Sequence, residues 1–373
     1  MSWTLGAYVA RRFLSTAALC FLGVLALVVM VDLVERLNQN SDGVASFSQL
    51  VGMALLHAPS IALVAAPFTV LLATMACFAR LARASEIVVA RAAGVSLGAL
   101  LAPAVAVAVV LGALMATVYN PVASAFVERF EALEERYFGR SSSSLALSGG
   151  GIWLRQVDEA RQTVIRADRA ASDLSRLWAV TAFRFDANDR LEARIEARTA
   201  VLEDGAWRLN AVSHWRFGPG AAEAGERSSE TRATAREVVR LPTDLTPERI
   251  AESFAAPRTI GFWRLPDFIA LLEAQGFSAE RHRVHFQGLL AYPLVFAAMT
   301  LIGAAFSMRP ARFSGLGIMA LGCVMTGFGY FFLSDLAAAL GASGAVPPLV
   351  AAWAPPASAL LFALGLLLHV EDV

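Results

Sequence analysis

The polar residues with the clearest functional pattern lie in one short segment between two long apolar ones, Arg80-Leu-Ala-Arg-Ala-Ser-Glu-Ile-Val-Val-Ala-Arg-Ala-Ala-Gly94. Ser85 is a residue type that caps helix starts, and Glu86 would lie in the first turn, where the helix dipole favours negative charge. Gly94 follows the predicted end. The pattern predicts a short surface helix near 83–94, on which a separate protein could act. The alternative is that its arginines only anchor the loop at lipid headgroups.

A few other ionisable residues lie in or beside apolar stretches. Asp335 is flanked by apolar residues, where a carboxylate costs roughly 2.5–3.5 kcal/mol at mid-bilayer and less near the interface. It is therefore either functional or hydrated at the headgroups. Asp32 and Arg36 are four residues apart, so they could pair with each other on a helix. His282 and His285 have a spacing that could serve a metal, but no third ligand accompanies them, and interfacial anchoring is the better interpretation.

Several classes of protein are excluded or disfavoured. All 31 basic residues are arginine, so the chain has no Walker A lysine and cannot itself be a P-loop ATPase. No nucleophile elbow, HExxH motif or pair of catalytic carboxylates is present, and we expect neither catalysis nor a bound cofactor or metal. The net charge of zero gives no basic field for nucleic acid. Cys20, Cys77 and Cys323 lie in apolar stretches, as small buried hydrophobic residues do.

The composition indicates a membrane protein. Of the 373 residues, 57% are hydrophobic and 17% are charged, and the mean hydropathy is +0.57. The third apolar stretch begins with Gly94-Val-Ser-Leu-Gly98, a small-xxx-small spacing that predicts close approach of a neighbouring helix. Six predominantly apolar stretches are long enough to cross a bilayer, at roughly 13–34, 51–79, 95–118, 286–307, 314–337 and 347–369.

The arginines in the short loops predict the orientation of these spans. Only Arg36 falls in a short loop on one side. We expect both termini to be cytoplasmic and the long polar region between the third and fourth spans to lie outside, which in a bacterium is the periplasm. The arginines on the other side are Arg11, Arg12, Arg80, Arg83, Arg91, Arg309 and Arg312.

The long polar region is predicted to form antiparallel strands. Residues 190–198 carry a charge at every second position with small or apolar residues between, which is the period of a half-buried strand. Asp204-Gly205 is a strong hairpin signal, after which Trp207 and Leu209 would face inward. Strands are also predicted over 162–167 and 178–185. After these, Leu265–Gly276 has the apolar stripe of a short amphipathic helix.

Taken together, these segments resemble the LptF/LptG family of lipopolysaccharide export permeases, and the LptG branch more than the LptF branch. The most specific match is Arg83-Ala-Ser-Glu-Ile-Val-Val-Ala-Arg-Ala-Ala-Gly94. The supporting matches, spread over nearly the whole chain, are Gly151-Ile-Trp-Leu-Arg155, Ala206-Trp-Arg-Leu209, Tyr292-Pro293, Asp335, Gly344-Ala-Val-Pro-Pro348 and Pro355.

The resemblance implies a fold and a set of partners. The fold is an α+β membrane protein of six transmembrane helices, with a periplasmic antiparallel β-jellyroll domain inserted between helices 3 and 4. The domains are 1–125, with the coupling helix near 83–94, then the jellyroll-like domain 126–262, then 263–373. The implied partners are an LptF-like permease, a dimer of an LptB-like ATPase that binds ATP and Mg, and an LptC-like membrane-anchored jellyroll protein.

The resemblance also implies roles for particular residues. Arg83, Ser85, Glu86 and Arg91 would contact the ATPase. A lipopolysaccharide headgroup needs cations for its phosphates. Arg36 would serve there, although it is followed by Leu37-Asn-Gln-Asn40 where family members often carry further basic residues. The other candidates are Arg129 and Arg136, whose neighbouring glutamates weaken the local field, and Asp335.

We therefore expect an inner-membrane permease subunit that extracts lipopolysaccharide from the outer leaflet, uses ATP hydrolysed by its partner, and passes the lipid to a β-jellyroll bridge. The alternative is a membrane-anchored periplasmic scaffold or lipid-binding protein without a transport cycle. Charge reversal at Glu86 separates the two hypotheses, because only the first needs that residue for coupling to an ATPase.

Overall fold

The chain folds into two compact units in the computed structural model. One consists of 1–139, 257–266 and 280–373, and the other of 140–256 and 267–279. The structure describes residues 3–40, 45–138, 145–148, 151–158, 161–170, 176–185, 190–203, 206–216, 233–242, 256–274, 278–308 and 316–371.

The first unit is helical. A π-helical turn, Met115–Tyr119, joins two of its helices into one long element, and a short 3₁₀ turn covers Pro257–Thr259. The helices are α1 (Trp3–Gln39), α2 (Phe47–Arg83), α3 (Glu86–Ala92), α4 (Leu97–Leu114) and α5 (Asn120–Phe138), then, after the sheet, α6 (Leu265–Ala274), α7 (Glu280–Ser307), α8 (Leu316–Ala342) and α9 (Pro348–Glu371).

Six of these elements are long and apolar enough to cross a membrane, which confirms the six predicted spans. They differ in how much of their surface the chain itself covers. In α7, 72% of the most apolar window is buried, whereas in α1 and in α8 only 11% is buried. The helix α7 is therefore the centre of the unit, and α1 and α8 leave most of their apolar surface open to lipid or to another protein.

Close approach of helices occurs at glycines other than the predicted ones. A Cβ on Gly112 of α4 would lie 2.7 Å from the Cα of Pro293 in α7, and one on Gly303 would lie 2.8 Å from the carbonyl oxygen of Leu71. Gly94 and Gly98 have no atom within 4 Å of such a Cβ. The prediction that their spacing packs a neighbouring helix is therefore wrong; Gly94 instead has a positive φ at the end of α3.

The π-helical turn has a local cause. Pro121 has no N–H to donate to the carbonyl of Thr117, four residues earlier, so the helical ladder is interrupted there. The indole nitrogen of Trp263 donates to that carbonyl oxygen at 2.9 Å. The amide N–H of Phe262 donates to the side-chain oxygen of Asn120 at 2.8 Å. Residues 262–263 thus supply the hydrogen bond that the helix itself cannot make at this point, and they attach the segment after the sheet to the third span.

The second unit contains a seven-stranded antiparallel sheet in which every strand pairs with its neighbours in sequence. This confirms an α+β membrane protein with an antiparallel sheet inserted between the third and fourth spans. None of the described strands makes the crossover of a Greek key, which a jellyroll in the strict sense contains. The strands are β1 (Leu145–Ser148), β2 (Gly151–Asp158), β3 (Arg161–Ala170), β4 (Arg176–Phe185), β5 (Leu191–Glu203), β6 (Ala206–Arg216) and β7 (Ala233–Pro242).

The predicted alternation in β5 is confirmed. Ala193, Ile195 and Ala197 are buried, and the charged residues between them face outward. Glu203 pairs with Ala206 as the two-residue hairpin requires, although the turn residues 204–205 lie outside the described part. Trp207 and Leu209 on the returning strand are also buried, in a core that includes Leu272 of α6.

The sheet contains a row of irregular positions. Ala179 in β4 and Ala211 in β6 have φ angles of 51° and 54°, and both are left out of the register that their neighbours follow across Arg198 of β5. Left-handed backbone costs roughly 1–2 kcal/mol for a residue with a Cβ. Two such positions beside the same strand indicate that the sheet changes its twist along this row.

The division into units differs from the predicted domain limits. The helix α5 continues through residue 126 to Phe138, and the second unit begins at residue 140. It ends at residue 256 but also includes 267–279, so most of α6 packs with the sheet. The amphipathic pattern of α6 is explained by this packing, because Phe268 and Leu272 contact the core of the sheet.

We predict that Gly112→Ala destabilises the helical unit, whereas Gly98→Ala in the same helix does not. The first Cβ would overlap the backbone of Pro293, and the second enters open space. Gly98→Ala should be neutral or stabilising by up to about 1 kcal/mol from helix propensity. Thermal unfolding of the full chain in one detergent measures both. Equal midpoints for the two variants would contradict the close α4–α7 contact.

Candidate functional site

The helix α3 is the predicted surface helix, and only some of the capping interactions predicted for its ends are present. Glu86 lies in its first turn as predicted. Gly94 closes it in a Schellman motif, with N–H bonds from Gly94 to Arg91 at 2.9 Å and from Val95 to Ala90 at 3.1 Å. Ser85 occupies the N-cap position, but its side chain makes no capping bond and its φ is 57°. The prediction that Ser85 caps the helix is therefore wrong; it makes the sharp turn out of α2.

The carboxylate of Glu86 is held by α1. The hydroxyl of Tyr8 donates to Oε2 at 3.0 Å, and Arg12 Nη1 lies 3.2 Å from Oε1. Arg12 also contacts the Tyr8 hydroxyl. The side chains of Arg12 and Glu86 are 33% and 37% exposed, so solvent partly screens the ion pair and it adds little to the stability of the fold. Its main effect is to position α3 against α1. We call Tyr8, Arg12 and Glu86 the α1–α3 tie.

The remaining residues of α3 present an apolar surface with a charged border. Ile87 packs inward, whereas Val88 and Val89 are 67% and 66% exposed. Arg83 and Arg91 are exposed. Adjacent exposed valines flanked by arginines are typical of a small docking surface on a helix. Glu86, the most specific residue of the motif, faces α1 within this chain.

A second polar group lies near the other end of α1. Arg36 Nε donates to Asp32 Oδ2 at 2.7 Å, and both residues are 6% exposed. His57 Nδ1 lies 2.8 Å from Asp32 Oδ1, and since a carboxylate only accepts, this nitrogen donates. The Arg36 guanidinium lies 4.2 Å from the ring centroid of Phe130, on which the His57 ring also stacks. We call these four residues the Asp32 cluster.

The Asp32 cluster joins α1 to α2 and α5. It confirms that Asp32 and Arg36 pair within the helix, and it adds two residues that the sequence did not connect with them. Because the Arg36 guanidinium is buried and engaged by Asp32 and Phe130, it is not available to a lipid headgroup in this structure. Arg36 as a headgroup ligand stays a prediction, and it requires the guanidinium to leave Asp32 and Phe130.

The other predicted headgroup residues are dispersed. Arg129 and Arg136 lie on α5 and are exposed. Asp335 lies on α8, also exposed, and lines a cavity that neither arginine borders. The structure therefore does not bring the four candidates together into one site.

Two of the cavities among the described residues of the helical unit differ in the character of their walls. The first, of about 460 Å³, lies among α2, α5, α7, α8 and α9 and has mixed walls. Its polar residues are His57, Ser60, Asn120, Ser124, Arg258, His285, Tyr292, Tyr330, Ser334 and Asp335. We call it the polar cavity.

The second cavity, of about 410 Å³, is almost wholly apolar. It lies among α1, α2, the π-helical turn and α7, and its walls include Phe21, Val70, Met115 and Phe296. A cavity of this character accepts hydrocarbon. We call it the apolar cavity.

In the portion of the chain with assigned structure, no three histidine, cysteine or acidic side chains come together as metal ligands would. His282 is buried in helix packing, and His285 lines the polar cavity. Neither lies in the exposed position expected of an interfacial anchor.

Sequence reasoning missed Tyr8, Val88 and Val89, and it did not connect His57 or Phe130 with Asp32. The exposed valines could have been predicted from the sequence. Ile87, Val88 and Val89 are consecutive and therefore point to different sides of a seven-residue helix, which can bury only one side. Tyr8 and Arg12 lie 78 and 74 residues from Glu86, and no local pattern predicts such a contact.

Comparison with known proteins assigns a family to this architecture. Residues 7–369 match the family described as "Lipopolysaccharide export system permease LptF/LptG". The chain is similar to the lipopolysaccharide export system permease protein LptG of Escherichia coli K12, with 23% identity over 97% of both chains. It is also similar to LptG of Haemophilus influenzae, with 21% identity over 94% of both.

We predict that Asp32→Ala is strongly destabilising, by about 3–5 kcal/mol, because it leaves the buried guanidinium of Arg36 unpaired. Replacing both residues by leucine should recover most of that loss. Glu35→Ala, which removes an exposed carboxylate from the same helix, is the matched control. Thermal unfolding in detergent measures all three. If Asp32→Ala were no worse than Glu35→Ala, the Asp32 cluster would not fasten α1.

Proposed function

The chain belongs to the LptF/LptG family of lipopolysaccharide export permeases, and we propose that it is the LptG-type permease subunit of an ATP-driven exporter. Its six candidate spans fit a multi-pass inner-membrane protein. In the proposed cycle, the subunit extracts lipopolysaccharide from the outer leaflet of the inner membrane and passes it to a periplasmic β-jellyroll bridge.

The proposed partners follow from family membership and from what the chain lacks. An LptF-like permease completes the transmembrane part, and an LptC-like membrane-anchored protein joins it. Because the chain has no lysine for a Walker A motif, we assign ATP and Mg to a separate dimer of an LptB-like ATPase. The subunit itself is a transporter component and not an enzyme.

The proposed orientation rests on the arginines of the short loops. The end of the helical unit that carries α3 and the start of α1 is cytoplasmic in this proposal. The inserted sheet is then periplasmic, and both termini are cytoplasmic. This places the α1–α3 tie where a cytosolic ATPase can reach it.

The observation that carries the proposal is the construction of α3. It offers Val88 and Val89 to a partner while Glu86 fastens it to α1 through Tyr8 and Arg12. A displacement of α3 by the ATPase would therefore move the start of α1. Arg83 and Arg91 border this surface and would pair with acidic groups of the ATPase, whereas Glu86 and Ser85 set the position of the helix.

The lipid path is proposed on the open sides of the helical unit. The helices α1 and α8 leave most of their apolar surface uncovered, so we assign these faces to the partner permease and to the acyl chains between the two subunits. Exposed Arg129 and Arg136 on α5 are the proposed cations for the lipid phosphates.

We predict that Val88→Asp with Val89→Asp abolishes co-purification of the ATPase without unfolding the permease, because two charges would enter an apolar interface. Ser96→Asp adds charge to the same loop outside α3 and, as a good N-cap residue, should leave binding intact. Pull-down of the co-expressed ATPase measures the effect. Undiminished co-purification of the valine variant would remove the docking surface and favour the scaffold hypothesis without a transport cycle.

We also predict that Glu86→Arg lowers lipopolysaccharide release per ATP hydrolysed by about tenfold, because two cations would then repel each other at the α1–α3 tie. The exchange of charges in Arg12→Glu with Glu86→Arg should restore much of the release. Reconstituted complexes report both ATP hydrolysis and lipid release. If the exchange restored nothing, Glu86 would act on the ATPase directly and not through α1.

A further inference from the structure

We propose that the polar cavity holds one zwitterionic glycerophospholipid, such as phosphatidylethanolamine, as a resident ligand distinct from the exported lipid. The inference concerns residues of α2, α5, α7 and α8 together with the turn at Pro257–Thr259, all of which belong to the helical unit. It does not depend on the ATPase or on the transport cycle.

The first observation is a pair of buried polar atoms in the wall. Ser124 Oγ on α5 and His285 Nε2 on α7 are both buried without a hydrogen-bond partner among the described residues, and the residues that carry them line the polar cavity. A buried polar atom without a partner costs free energy, so native proteins satisfy such atoms with protein, water or ligand. Two of them at one cavity indicate an occupant that hydrogen-bonds to both.

The second observation is the mixed character of the walls. Beside the polar residues, Ile61, Val64, Val284 and Val295 line the same space of about 460 Å³. Water alone is held by polar walls and not by apolar ones. A volume in the range of small-molecule sites with polar groups at a few points fits an amphiphile. In a membrane-spanning unit, the amphiphile in greatest supply is a phospholipid.

The third observation selects the headgroup. Arg258 supplies a cation and Asp335 an anion to the wall, and neither forms an ion pair with another residue whose side chain is described. Glu131 also interacts electrostatically with Arg258. A headgroup with several phosphates would be repelled by the carboxylate of Asp335, whereas one phosphate and one ammonium match Arg258 and Asp335.

The polar cavity also adjoins the Asp32 cluster. His57 lines the cavity and donates to Asp32 on α1 through Nδ1. An occupant that contacts the His57 ring would therefore stabilise the position of the residue that fastens α1. The resident lipid would thus stabilise the packing of the helices that line the cavity while the start of α1 moves with α3.

The test is native mass spectrometry of the full chain, purified in a mild detergent and exposed to equal amounts of phosphatidylethanolamine and phosphatidylglycerol. The wild-type chain should retain one phosphatidylethanolamine in preference to phosphatidylglycerol. Asp335→Asn should reduce that preference by about tenfold, the effect of losing one hydrogen bond to a charged group. Because Asp335 is exposed, this variant will fold.

Further variants separate the lipid site from a general effect on folding. The double variant Ser124→Ala with His285→Leu should retain less of either lipid than the wild type. The single variant His285→Gln keeps a polar group at that position and should retain lipid nearly as the wild type does. Thr326→Ala on α8, whose hydroxyl bonds within its own helix and lines neither cavity, should retain lipid as the wild type does.

Three results would overturn the proposal: no phospholipid retained by the wild type, the same preference in Asp335→Asn as in the wild type, or lipopolysaccharide carried through the purification in place of the phospholipid. The lipid measurement uses neither ATP nor a partner chain. The proposed transport function could therefore fail while this site stands, and the reverse also holds.

Discussion

The organisation of the helical unit depends on two polar attachments of α1. Only 11% of the most apolar window of this helix is buried, so the chain itself leaves much of its apolar surface uncovered, although Val9 and Phe13 belong to the main apolar core. At one end, Glu86 of α3 binds Tyr8 and Arg12; at the other, Asp32 and Arg36 join it to His57 and Phe130. Because charged groups are costly to leave unpaired away from water, these contacts fix where α1 lies.

The two attachments differ in strength, and the difference matters for the proposed mechanism. The α1–α3 tie is partly exposed, whereas the Asp32 cluster is buried. An exposed ion pair adjusts at small cost when α3 moves, and a buried one resists separation. In the proposed cycle, we therefore interpret the start of α1 as the end that moves with α3 and residues 32–36 as the point about which α1 rotates. The exposed apolar faces of α1 and α8 would then move against the lipid.

The sequence predicted what depends on periodicity and local composition. The six spans follow from long, predominantly apolar stretches, and β5 follows from charges at every second residue. It did not predict contacts between distant residues. The spacing of Gly94 and Gly98 suggested close helix packing, but the close contact is at Gly112, because Pro293 of α7 lies there and no local pattern locates a neighbouring helix. Glu86 was identified as important from its local motif. Its partner Arg12 and its role in positioning α3 were not predicted, for the same reason. The polar cavity has no signal in the sequence.

The most direct test of the account is whether α3 and the start of α1 move as one body. Spin labels on Arg11 and Ala92, in a chain whose three cysteines are replaced, report their separation by pulsed electron resonance in the complex with the proposed ATPase. A second pair, on Leu27 of α1 and Leu290 of α7, reports the displacement of α1 against the centre of the unit. The account predicts that the first distance stays constant between the nucleotide-free and the trapped ATP-bound states while the second changes. A change in the first distance with none in the second would contradict it.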